Sequence, residues 1–518
     1  MKQKDTSAPR PVEQSNGKRR ARRTGLDKFG AFAMLLLLLC SLALFARLIA
    51  TEMLSNLYLI ILMVVLFVIN SIHIIVQMPL RRNKIGKLIC GIIALILSAA
   101  MIYGMVAVGS VQSALSKITG KLIEKEVTAV LVMKDDSAQN IQDALQYKFG
   151  ALSHSNTENT QGLVQKVQEE TGTAISPTGY DTMTDLVDAL YDDNVRAIIL
   201  NEGYFDMIED MENYKDFTEQ TRVIYEFTTE REMETINNGS SLTKDCFLVY
   251  CSGIDARSTD LGIQSRSDVN ILAVVNPKTH QILLLNTPRD YYLPLNMNGE
   301  LDKLTHAGMY GISESMATLD DLYSTETPYY VRVNFNGLVD IVDALGGIDI
   351  ESPCEFTTTN MEMPDEDGDG FSRESFYFPE GQIHVSGREA LAFSRERYSF
   401  ADGDNQRGRN QMTVIKAILK KATSPAVLSN YQDLLGAVSD SFITNISYKQ
   451  ITSLVKMQLK GMPDWNITSY AVSGNGDECY TYSAGNAWVM WPDDEMVATA
   501  KTLIQQVLNG ETPVVPES

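Results

Sequence analysis

The sequence predicts an α/β protein that is anchored in a membrane by three N-terminal helices. Three observations predict this class: long apolar stretches follow a basic start, short β-branched segments alternate with helical patterns after them, and the second half contains strands that are apolar throughout. Alternation of strands with helices is typical of α/β layers, and fully apolar strands are typical of sheets covered on both faces. A chain of 518 residues is expected to hold more than one domain.

The three apolar stretches are long enough to cross a membrane. They are Ala31–Ala50, Leu54–Met78 and Leu88–Gly109. About 20 apolar residues are needed to span a hydrocarbon core. The first stretch alone also fits a signal peptide, but two further spans follow it and the basic region before it is long, which favours three transmembrane helices.

The loops between the spans predict their orientation. Lys and Arg are concentrated in Gly17–Arg23 and Arg81–Lys87, whereas Thr51–Ser55 contains neither. The positive-inside rule places the first two segments in the cytoplasm. We therefore expect a multi-pass protein of the cell membrane, with a cytoplasmic N-terminus and with everything after about Val111 outside the cell.

Charge is divided unevenly along the chain. The net charge is −21, yet residues 1–87 contain 14 Lys and Arg against four Asp and Glu, so the remainder carries about −31. An acidic exported part of this size repels nucleic acid, so no nucleic-acid partner is expected. An anionic ligand must instead be held by local chemistry.

Four of the six cysteines fall in the exported part, where they allow two disulfides without fixing the pairing. No Cys/His cluster has the spacing of a zinc site. The exported cysteines are Cys246, Cys251, Cys354 and Cys479.

Composition divides the chain into a cytoplasmic basic tail, three transmembrane helices, an extracellular accessory α/β domain, a second extracellular α/β module and a short tail. In the accessory domain we find no phosphate loop and no catalytic constellation, so a structural or partner-binding role and a ligand pocket both stay open. The predicted bounds are 1–28, 29–110, 111–240, 241–510 and 511–518.

Charged residues gather where the strands of the second module end. Asp255 follows the first strand, Arg266 and Asp268 precede the second, and Arg289 follows the third, with Lys303 farther along. Functional groups of open α/β sheets cluster outside strand ends. The sequence therefore predicts a site that combines carboxylates with several cations.

These residue types fit a multiply charged phosphate ester. Arginine is always cationic and binds phosphate oxygens through paired donors. Asp255 and Asp268 would repel a bare phosphate, but they fit a site for Mg²⁺, which prefers a few carboxylates together with substrate phosphate oxygens. The metal would then neutralise the carboxylates and bridge them to the ligand.

The stretch AFSRERYSFADGDNQRGRNQ adds further cations. Arg395 and Arg397 are two apart, so they share a face if the segment is extended. Arg407 and Gln411 are four apart and share a face of the following helix, near an N-terminus that attracts anions. Arg409 points away from that face and is left out of the site.

Each of these signals alone also has an ordinary explanation. An Arg-x-Arg pair is usually a solvated surface, and an Asp after a strand is often a turn residue. His306 fits a general base and a packing residue equally well. Asp343–Ile350 is Gly-rich but lacks the Lys and Ser/Thr of a phosphate loop.

Taken in order, the segments resemble the LytR-CpsA-Psr family, the cell-wall ligases of Gram-positive bacteria. The matching segments cover about Phe247–Gln411. Val269 stands where the family often has Thr, and Asn410 where its teichoic-acid branch often has Arg. Three spans followed by an accessory domain are similar to the capsule-linked branch. The segments are GIDAR, SRSDVNILAVVNP, LLLNTPRDYY, DKLTHAG, VNFNGLVDIVDALGGIDI, GREALAFSRERY and DGDNQRGRNQ.

The resemblance implies a Mg²⁺-dependent, membrane-anchored phosphotransferase whose catalytic domain is the α/β sandwich at 241–510. Enzymes of this family take a glycopolymer, such as a capsular polysaccharide or a teichoic acid, from a polyprenyl pyrophosphate carrier. They join it to peptidoglycan, usually at the 6-hydroxyl of N-acetylmuramic acid. The family fold also holds the lipid tail in an apolar tunnel.

The resemblance also implies a role for each matching residue. Asp255 and Asp268 are similar to the metal-linked aspartates of the family, and with Arg289 and Arg395 they form the expected catalytic set. Asp404 resembles an aspartate that orients the arginines. The expected pyrophosphate-binding residues are Arg266, Arg289, Lys303, Arg395, Arg397, Asp404, Arg407 and Gln411.

Two other functions use the same residues. With water as the acceptor, the site would belong to a lipid-pyrophosphate hydrolase. Without chemistry, the protein would be a membrane-tethered sensor or regulator of polysaccharide assembly. The presence of both expected metal aspartates favours catalysis over binding alone.

Overall fold

The computed structural model describes most of the chain and divides it into two compact units, residues 1–109 and 110–518. The described residues are 25–50, 56–77, 84–119, 123–154, 157–209, 211–232, 241–254, 261–262, 264–364, 371–424, 427 and 438–516.

The first unit contains three long apolar helices, each long and apolar enough to cross a membrane, which confirms the predicted spans. Ala33, Leu37, Leu66, Ala94 and Met101 form a buried cluster shared by all three helices, and small residues such as alanine allow helices to approach closely. Their orientation across a membrane stays a prediction. The helices are α1 (Gly25–Ala50), α2 (Asn56–Gln77) and α3 (Lys84–Ile118).

A five-stranded sheet follows in the second unit. Its strands are β1 (Ile123–Met133), β2 (Phe149–Leu152), β3 (Thr178–Tyr180), β4 (Ala197–Asn201) and β5 (Thr221–Glu232), and its helices are α4 (Ile141–Ala144), α5 (Thr157–Thr171), α6 (Met183–Tyr191), α7 (Phe205–Glu209) and α8 (Phe217–Gln220). The strand order is β3-β2-β4-β1-β5. β2 runs parallel to β3 and β4, whereas β1 is antiparallel to β4 and β5.

This first sheet packs directly on the rest of the second unit. The buried carboxylate of Glu124 on β1 accepts a hydrogen bond from the backbone N–H of Ile312 at 2.9 Å. The hydroxyl of Tyr482 donates to the carbonyl oxygen of His154 at 2.6 Å. These contacts tie the first sheet to later segments of the same unit.

The remaining elements build a second sheet with its covering layers. The strands are β6 (Phe247–Ile254), β7 (Ser267–Asn276), β8 (Gln281–Asn286), β9 (Tyr292–Pro294), β10 (Leu301–Lys303), β11 (Tyr329–Val333), β12 (Ile348–Ser352), β13 (Phe356–Thr357), β14 (Met361–Pro364), β15 (Phe371–Glu374), β16 (Tyr377–Phe378), β17 (Gly381–Val385), β18 (Phe442–Thr444), β19 (Asn466–Ala471), β20 (Gly474–Thr481) and β21 (Gly485–Pro492). The helices are α9 (Leu304–Ala307), α10 (Ile312–Tyr323), α11 (Phe335–Ala344), α12 (Gly387–Arg395), α13 (Gly403–Ala422), α14 (Tyr448–Gly461) and α15 (Asp494–Leu508).

Six of these strands form one mixed sheet in the order β18-β11-β6-β7-β8-β19. On one face, α10 and α15 pack against a cluster that includes Leu272 and Leu283. On the other face, α13 and α14 pack against a cluster that includes Val249 and Ala273. Because both faces are covered, the central strands are apolar throughout, and the predicted α/β sandwich is confirmed.

Four strands of this sheet have an end at the same edge. β6 ends at Ile254, and because β7 is antiparallel to it, β7 begins there with Ser267. β8 is antiparallel to β7 and ends at Asn286, whereas β11 is parallel to β6 and ends at Val333. The chain segments that leave or enter these ends are thereby brought together. A further layer of α11, α12 and short hairpins, with its own apolar core, stands beside this edge.

All six cysteines are free thiols, so no disulfide links the described residues.

Candidate active site

A cavity of about 870 Å³ opens at this edge of the six-stranded sheet. Every predicted site residue that the structure describes lines it. Asp255, predicted to hold a metal and to act in catalysis, lies outside the described residues. The predicted residues in the lining are Arg266, Asp268, Arg289, Lys303, Arg395, Arg397, Asp404, Arg407 and Gln411.

Asp268 and Arg289 form the centre of the cavity wall. Asp268 lies at the start of β7 and Arg289 just after β8, so the antiparallel pairing of these strands places them side by side. Arg289 Nη1 donates to Asp268 Oδ1 at 3.0 Å. The same oxygen accepts a hydrogen bond from the hydroxyl of Thr305 at 3.3 Å, and the Thr305 backbone N–H donates to the carbonyl of Arg289 at 2.8 Å. The position of each side chain is therefore fixed by the other and by α9.

Asp290 lines the same cavity; the sequence places it after the third strand, beside Arg289, without indicating a role for it. Its Oδ1 lies 3.0 Å from Nζ of Lys303, and its Oδ2 lies 3.6 Å from Nε of Arg289. Asp290 thus holds two cations that come from different segments. Its position next to Arg289 in the sequence was the available signal.

The predicted extended segment around Arg395 is wrong, because Arg395 is the last residue of helix α12. A capping box of Ser386 and Glu389 starts this helix, and its buried residues continue as far as Ser394, which favours helix up to Arg395. The Arg395 guanidinium lies over the ring of Phe335, 4.1 Å from the centroid, and donates to the carbonyl of Glu362. Arg395 and Arg397 nevertheless both reach the cavity.

Helix α13 supplies a second group of charged side chains to the cavity. Asp404 Oδ1 lies 3.5 Å from Arg397 Nη1, and Asp404 Oδ2 lies 3.3 Å from Arg407 Nη2. This helix approaches the end of β8 closely, because a Cβ on Gly408 would lie 2.3 Å from Nδ2 of Asn286. The close approach places Arg407 and Gln411 in the cavity beside Arg289. Arg409, on the same helix, pairs with Asp402 at the surface.

Positive charge exceeds negative charge in the lining. Six basic side chains face three acidic ones among the described residues. Burial alone would raise the pKa of Asp268, but the charges of Arg289, Arg266 and Arg407 outweigh it and hold that pKa well below its usual range. Asp268 in turn raises the pKa of Arg289.

The pKa of Arg407 is shifted in the opposite direction to that of Arg289. Burial, together with repulsion from Arg289, lowers its pKa to about 10, despite the attraction of Asp404. A buried cation destabilised by a neighbouring cation gains from any anion that enters between them. The arrangement therefore favours binding of a ligand with several negative charges.

Two further surfaces complete the cavity. One wall is apolar and includes Val333, Leu338, Met361 and Phe400. The lining also includes two aromatic residues, Tyr398 and Trp488, which were not among the site residues predicted from the sequence. Trp488 lies on β21, far along the chain from the other site residues, so its place in the lining had no signal in the local sequence.

His306 lies beneath the site and is not among the residues that line the cavity. It is buried, and its Nδ1 lies 2.6 Å from Oδ1 of Asp302. Oδ2 of Asp302 accepts hydrogen bonds from the backbone N–H of Ser483, at 3.0 Å, and from its hydroxyl. Of the two roles left open by the sequence, this position fits packing, because the imidazole is closed off from a substrate in the cavity.

The described residues contain no group of three or more His, Cys, Asp or Glu side chains that could hold a metal ion by themselves. Asp268 is a carboxylate in the cavity wall, and one of its oxygens is already shared by Arg289 and Thr305. Mg²⁺ typically uses one or two carboxylates and completes its shell with water and substrate phosphate oxygens. Asp268 therefore fits a partial, ligand-assisted metal site.

The amino-acid sequence is similar to those of known proteins. Residues 211–504 match the LytR_cpsA_psr family. A polyisoprenyl-teichoic acid–peptidoglycan teichoic acid transferase, TagU, of Bacillus cereus is 34% identical over 205 residues, which are 39% of this chain and 62% of that protein. The enzyme of the same name from Enterococcus faecalis is 33% identical over 242 residues, which are 46% of this chain and 74% of that protein.

A solved structure also aligns with the chain. The crystal structure of B. subtilis TagV is 25% identical, with a TM-score of 0.42, and the match covers 52% of this chain and 99% of TagV. The family match spans more than half of the 518 residues and includes every predicted site residue. The chain therefore belongs to the LytR-CpsA-Psr family.

Proposed function

We propose that this protein is a membrane-anchored phosphotransferase that moves a glycopolymer from a polyprenyl pyrophosphate carrier onto peptidoglycan. The observation that carries the proposal is the cavity at the sheet edge, in which cations from four separate segments converge and outnumber the carboxylates of the described lining. The names of the Bacillus and Enterococcus relatives support the same substrates. The polymer itself, whether a teichoic acid or a capsular polysaccharide, is not specified by the cavity.

The cavity is suited to an amphiphilic donor. We call the six basic side chains of its lining the basic wall; they are Arg266, Arg289, Lys303, Arg395, Arg397 and Arg407. The basic wall matches a pyrophosphate in charge and in donor geometry, because guanidinium groups bind phosphate oxygens through paired N–H donors. The apolar wall of the cavity, which includes Leu338 and Met361, matches the first isoprene units of the carrier. A ligand that combines both chemistries is a lipid pyrophosphate.

The expected reaction is a displacement at phosphorus. The acceptor hydroxyl attacks the phosphorus attached to the sugar, and the bond from that phosphorus to the bridging oxygen breaks. Polyprenyl phosphate leaves with the electron pair, and the hydroxyl proton passes to a carboxylate of the site or to solvent. The products are a phosphodiester between polymer and peptidoglycan, and polyprenyl phosphate.

The residues of the chain contribute mainly electrostatic stabilisation and positioning. Arg289 and Arg407 both line the cavity, where they can balance charge that builds on the bridging oxygen and the leaving phosphate. Asp404 holds Arg397 and Arg407 in place. Asp290 does the same for Lys303.

We propose that Asp268 binds Mg²⁺ together with Asp255. When bound, the metal would neutralise the carboxylates and the developing phosphate charge. Support comes from the chemistry of Asp268, a carboxylate whose neighbouring arginines keep it ionised. Residues 241–510 would form the catalytic domain and 111–240 the accessory domain, both outside the cell.

The test uses the full-length protein in detergent, a polyprenyl pyrophosphate-linked glycan and peptidoglycan. Release of polyprenyl phosphate and polymer attached to peptidoglycan are measured separately, with and without Mg²⁺. We expect Arg289→Ala to lower both by roughly 100-fold or more, as for removal of a key electrostatic group. Arg409→Ala is the matched control, because Arg409 lies on α13 but pairs at the surface with Asp402.

The outcomes separate the three functions. Polymer recovered free in solution, with none on peptidoglycan, would identify a hydrolase. Donor that is bound but never cleaved would identify a sensor. Equal activity of the Arg289→Ala variant and the wild type would show that Arg289 has no part in the mechanism. Undiminished activity in the presence of a chelator would show that the reaction does not require Mg²⁺.

A further inference from the structure

The hairpin of β20 and β21 carries large aromatic side chains that are unusually exposed. Tyr480 is 54% exposed and Trp488 is 46% exposed. Exposed aromatic residues grouped on one element usually mark a binding surface. The proposed reaction does not use the aromatic side chains of this hairpin.

Trp488 differs from Tyr480 in its location. Trp488 is among the described residues that line the cavity, and Tyr480 is not. The reason is the attachment of β21 to the basic wall. The backbone N–H of Met490 donates to the carbonyl of Asp290 at 2.8 Å. Trp488, two residues before Met490, is thereby held beside the segment that carries Arg289.

The indole of Trp488 is positioned by a residue without a side chain. Gly476 lies on the neighbouring strand β20, and a Cβ added to it would be 2.7 Å from Cζ2 of Trp488. The ring therefore lies against the Gly476 backbone, where any larger residue would displace it. Glu478 is the direct cross-strand neighbour of Trp488 and places an exposed carboxylate next to the ring.

A second exposed aromatic ring lines the same cavity. This residue is Tyr398, which follows Arg397 in the sequence and is 70% exposed. The Arg397 guanidinium lies over the Tyr398 ring, 4.6 Å from its centroid, and donates to the Tyr398 hydroxyl. The ring is thus held at the cavity by a group of the anion site itself.

Aromatic rings next to a phosphate site match the chemistry of a phosphorylated sugar. A pyranose ring has a face of C–H groups that packs on an aromatic ring, and hydroxyls at its edge that bond to carboxylates such as Glu478. A neutral sugar gains from such rings by burial of apolar surface. An anionic membrane surface would instead be repelled by Asp477 and Glu478, which are both exposed on this hairpin.

We propose that Trp488 and Tyr398 form a sugar-stacking subsite that holds pyranose rings beside the pyrophosphate. The proposal rests on the proposed function for the identity of the ligand. The sugar belongs to the lipid-linked polymer or to the peptidoglycan acceptor, and the stacking chemistry is the same for both. Trp488 and Tyr398 are then residues for glycan binding, and the phosphates are held by the basic wall.

The experiment compares the wild type with Trp488→Ala, using a short-chain prenyl pyrophosphate with and without a linked disaccharide. We expect Trp488→Ala to leave the dissociation constant of the sugar-free pyrophosphate within twofold. In the transfer assay, its KM should rise about tenfold for the glycan donor or for peptidoglycan, at nearly unchanged kcat. A higher KM for the donor assigns the subsite to the polymer, and a higher KM for peptidoglycan assigns it to the acceptor.

Further variants separate stacking from loss of structure. Trp488→Phe should retain most of the affinity, and Gly476→Ala should weaken it by displacing the indole without removing it. Tyr480→Ala is the matched control, since Tyr480 is an exposed aromatic residue of the same hairpin outside the cavity lining. It should leave both KM values unchanged.

Three results would overturn the subsite. They are an unchanged KM for both glycans in Trp488→Ala, an equal loss of affinity for the sugar-free pyrophosphate, and a loss of binding only to lipid vesicles. Failure of the proposed function gives a different result, because wild-type protein would then transfer no polymer. In that case the subsite stands only if wild type binds the disaccharide-bearing pyrophosphate more tightly than the sugar-free one and Trp488→Ala abolishes the difference.

Discussion

The cavity and the network beneath it are both built from charged side chains, yet their charges are arranged in opposite ways. In the buried network, Asp302 is hydrogen-bonded to His306 through one carboxylate oxygen and to Ser483 through the other. Among the described residues that line the cavity, cations outnumber carboxylates, and Arg289 repels Arg407. The two groups are joined by only a few residues of β10 and α9.

The difference shows how scaffold and binding site can be told apart without a bound ligand. Buried polar groups whose hydrogen bonds are all made fix the geometry of the elements that carry them, and removal of one partner leaves the other buried and uncompensated. Charges of one sign that are held close together without full compensation destabilise the free protein. Such an arrangement is expected where a ligand supplies the missing charge, and the predictions below test this distinction.

The largest expected effect is from charge reversal in the cavity. Arg407→Glu places an acid next to Asp404 and Asp268, so binding of lipid pyrophosphate and turnover should fall by about 1000-fold or more, comparable to loss of a buried charge pair. Calorimetric binding and the transfer assay measure this. Arg409→Glu, two residues away on the same helix, should change binding by less than about threefold. Equal effects of the two variants would show that only the overall charge of α13 matters.

In the buried network, substitution should affect stability more than chemistry. Asp302→Asn removes the carboxylate that joins His306 to Ser483 and should lower the free energy of unfolding by about 3 kcal/mol, as for loss of one partner of a buried pair. Denaturant unfolding of residues 110–518 within the full-length protein measures this change. A variant of normal stability with no turnover would contradict the scaffold role and assign His306 to the reaction.

Pyrophosphate should stabilise the free protein because it supplies the missing negative charge. At a concentration 100 times its dissociation constant, inorganic pyrophosphate is expected to add about 2.7 kcal/mol to the free energy of unfolding. The rise in unfolding temperature should be absent in Arg407→Glu and retained in Arg409→Glu. An equal rise in all three proteins would indicate nonspecific binding elsewhere.

The smallest effect concerns pH. The same burial and repulsion that lower the pKa of Arg407 to about 10 would act on a lysine at this position, whose ordinary pKa is about 10.4. A lysine is charged below its pKa and loses the charge as pH rises through that pKa, and a lowered pKa brings this loss to a lower pH. Arg407→Lys should therefore bind pyrophosphate about tenfold more weakly at pH 9 than at pH 7, whereas wild type should change little. A parallel pH dependence in both proteins would contradict this origin.

Much of the site could be predicted from the sequence because its residues follow or precede strands that the sequence marks by their apolar character. Asp268 and Arg289 flank such strands, and an antiparallel pairing of neighbours is enough to bring them together. The segment around Arg395 was harder to predict, because its helical residues end in a mixed Arg-Glu-Arg pattern that also fits an extended chain. Trp488 could not be found, because its contact with the cavity depends on the attachment of β21 next to Asp290.

The sequence by itself determined the three apolar helices, the alternation of strands and helices, and the residue types needed to bind phosphate. These properties depend on local composition and on periodicity along the chain. Only the tertiary structure decided that Asp290 joins the site, that His306 is closed off beneath it and that Trp488 and Tyr398 reach its rim. Their positions depend on strand pairing and side-chain packing between distant segments, which no local pattern specifies.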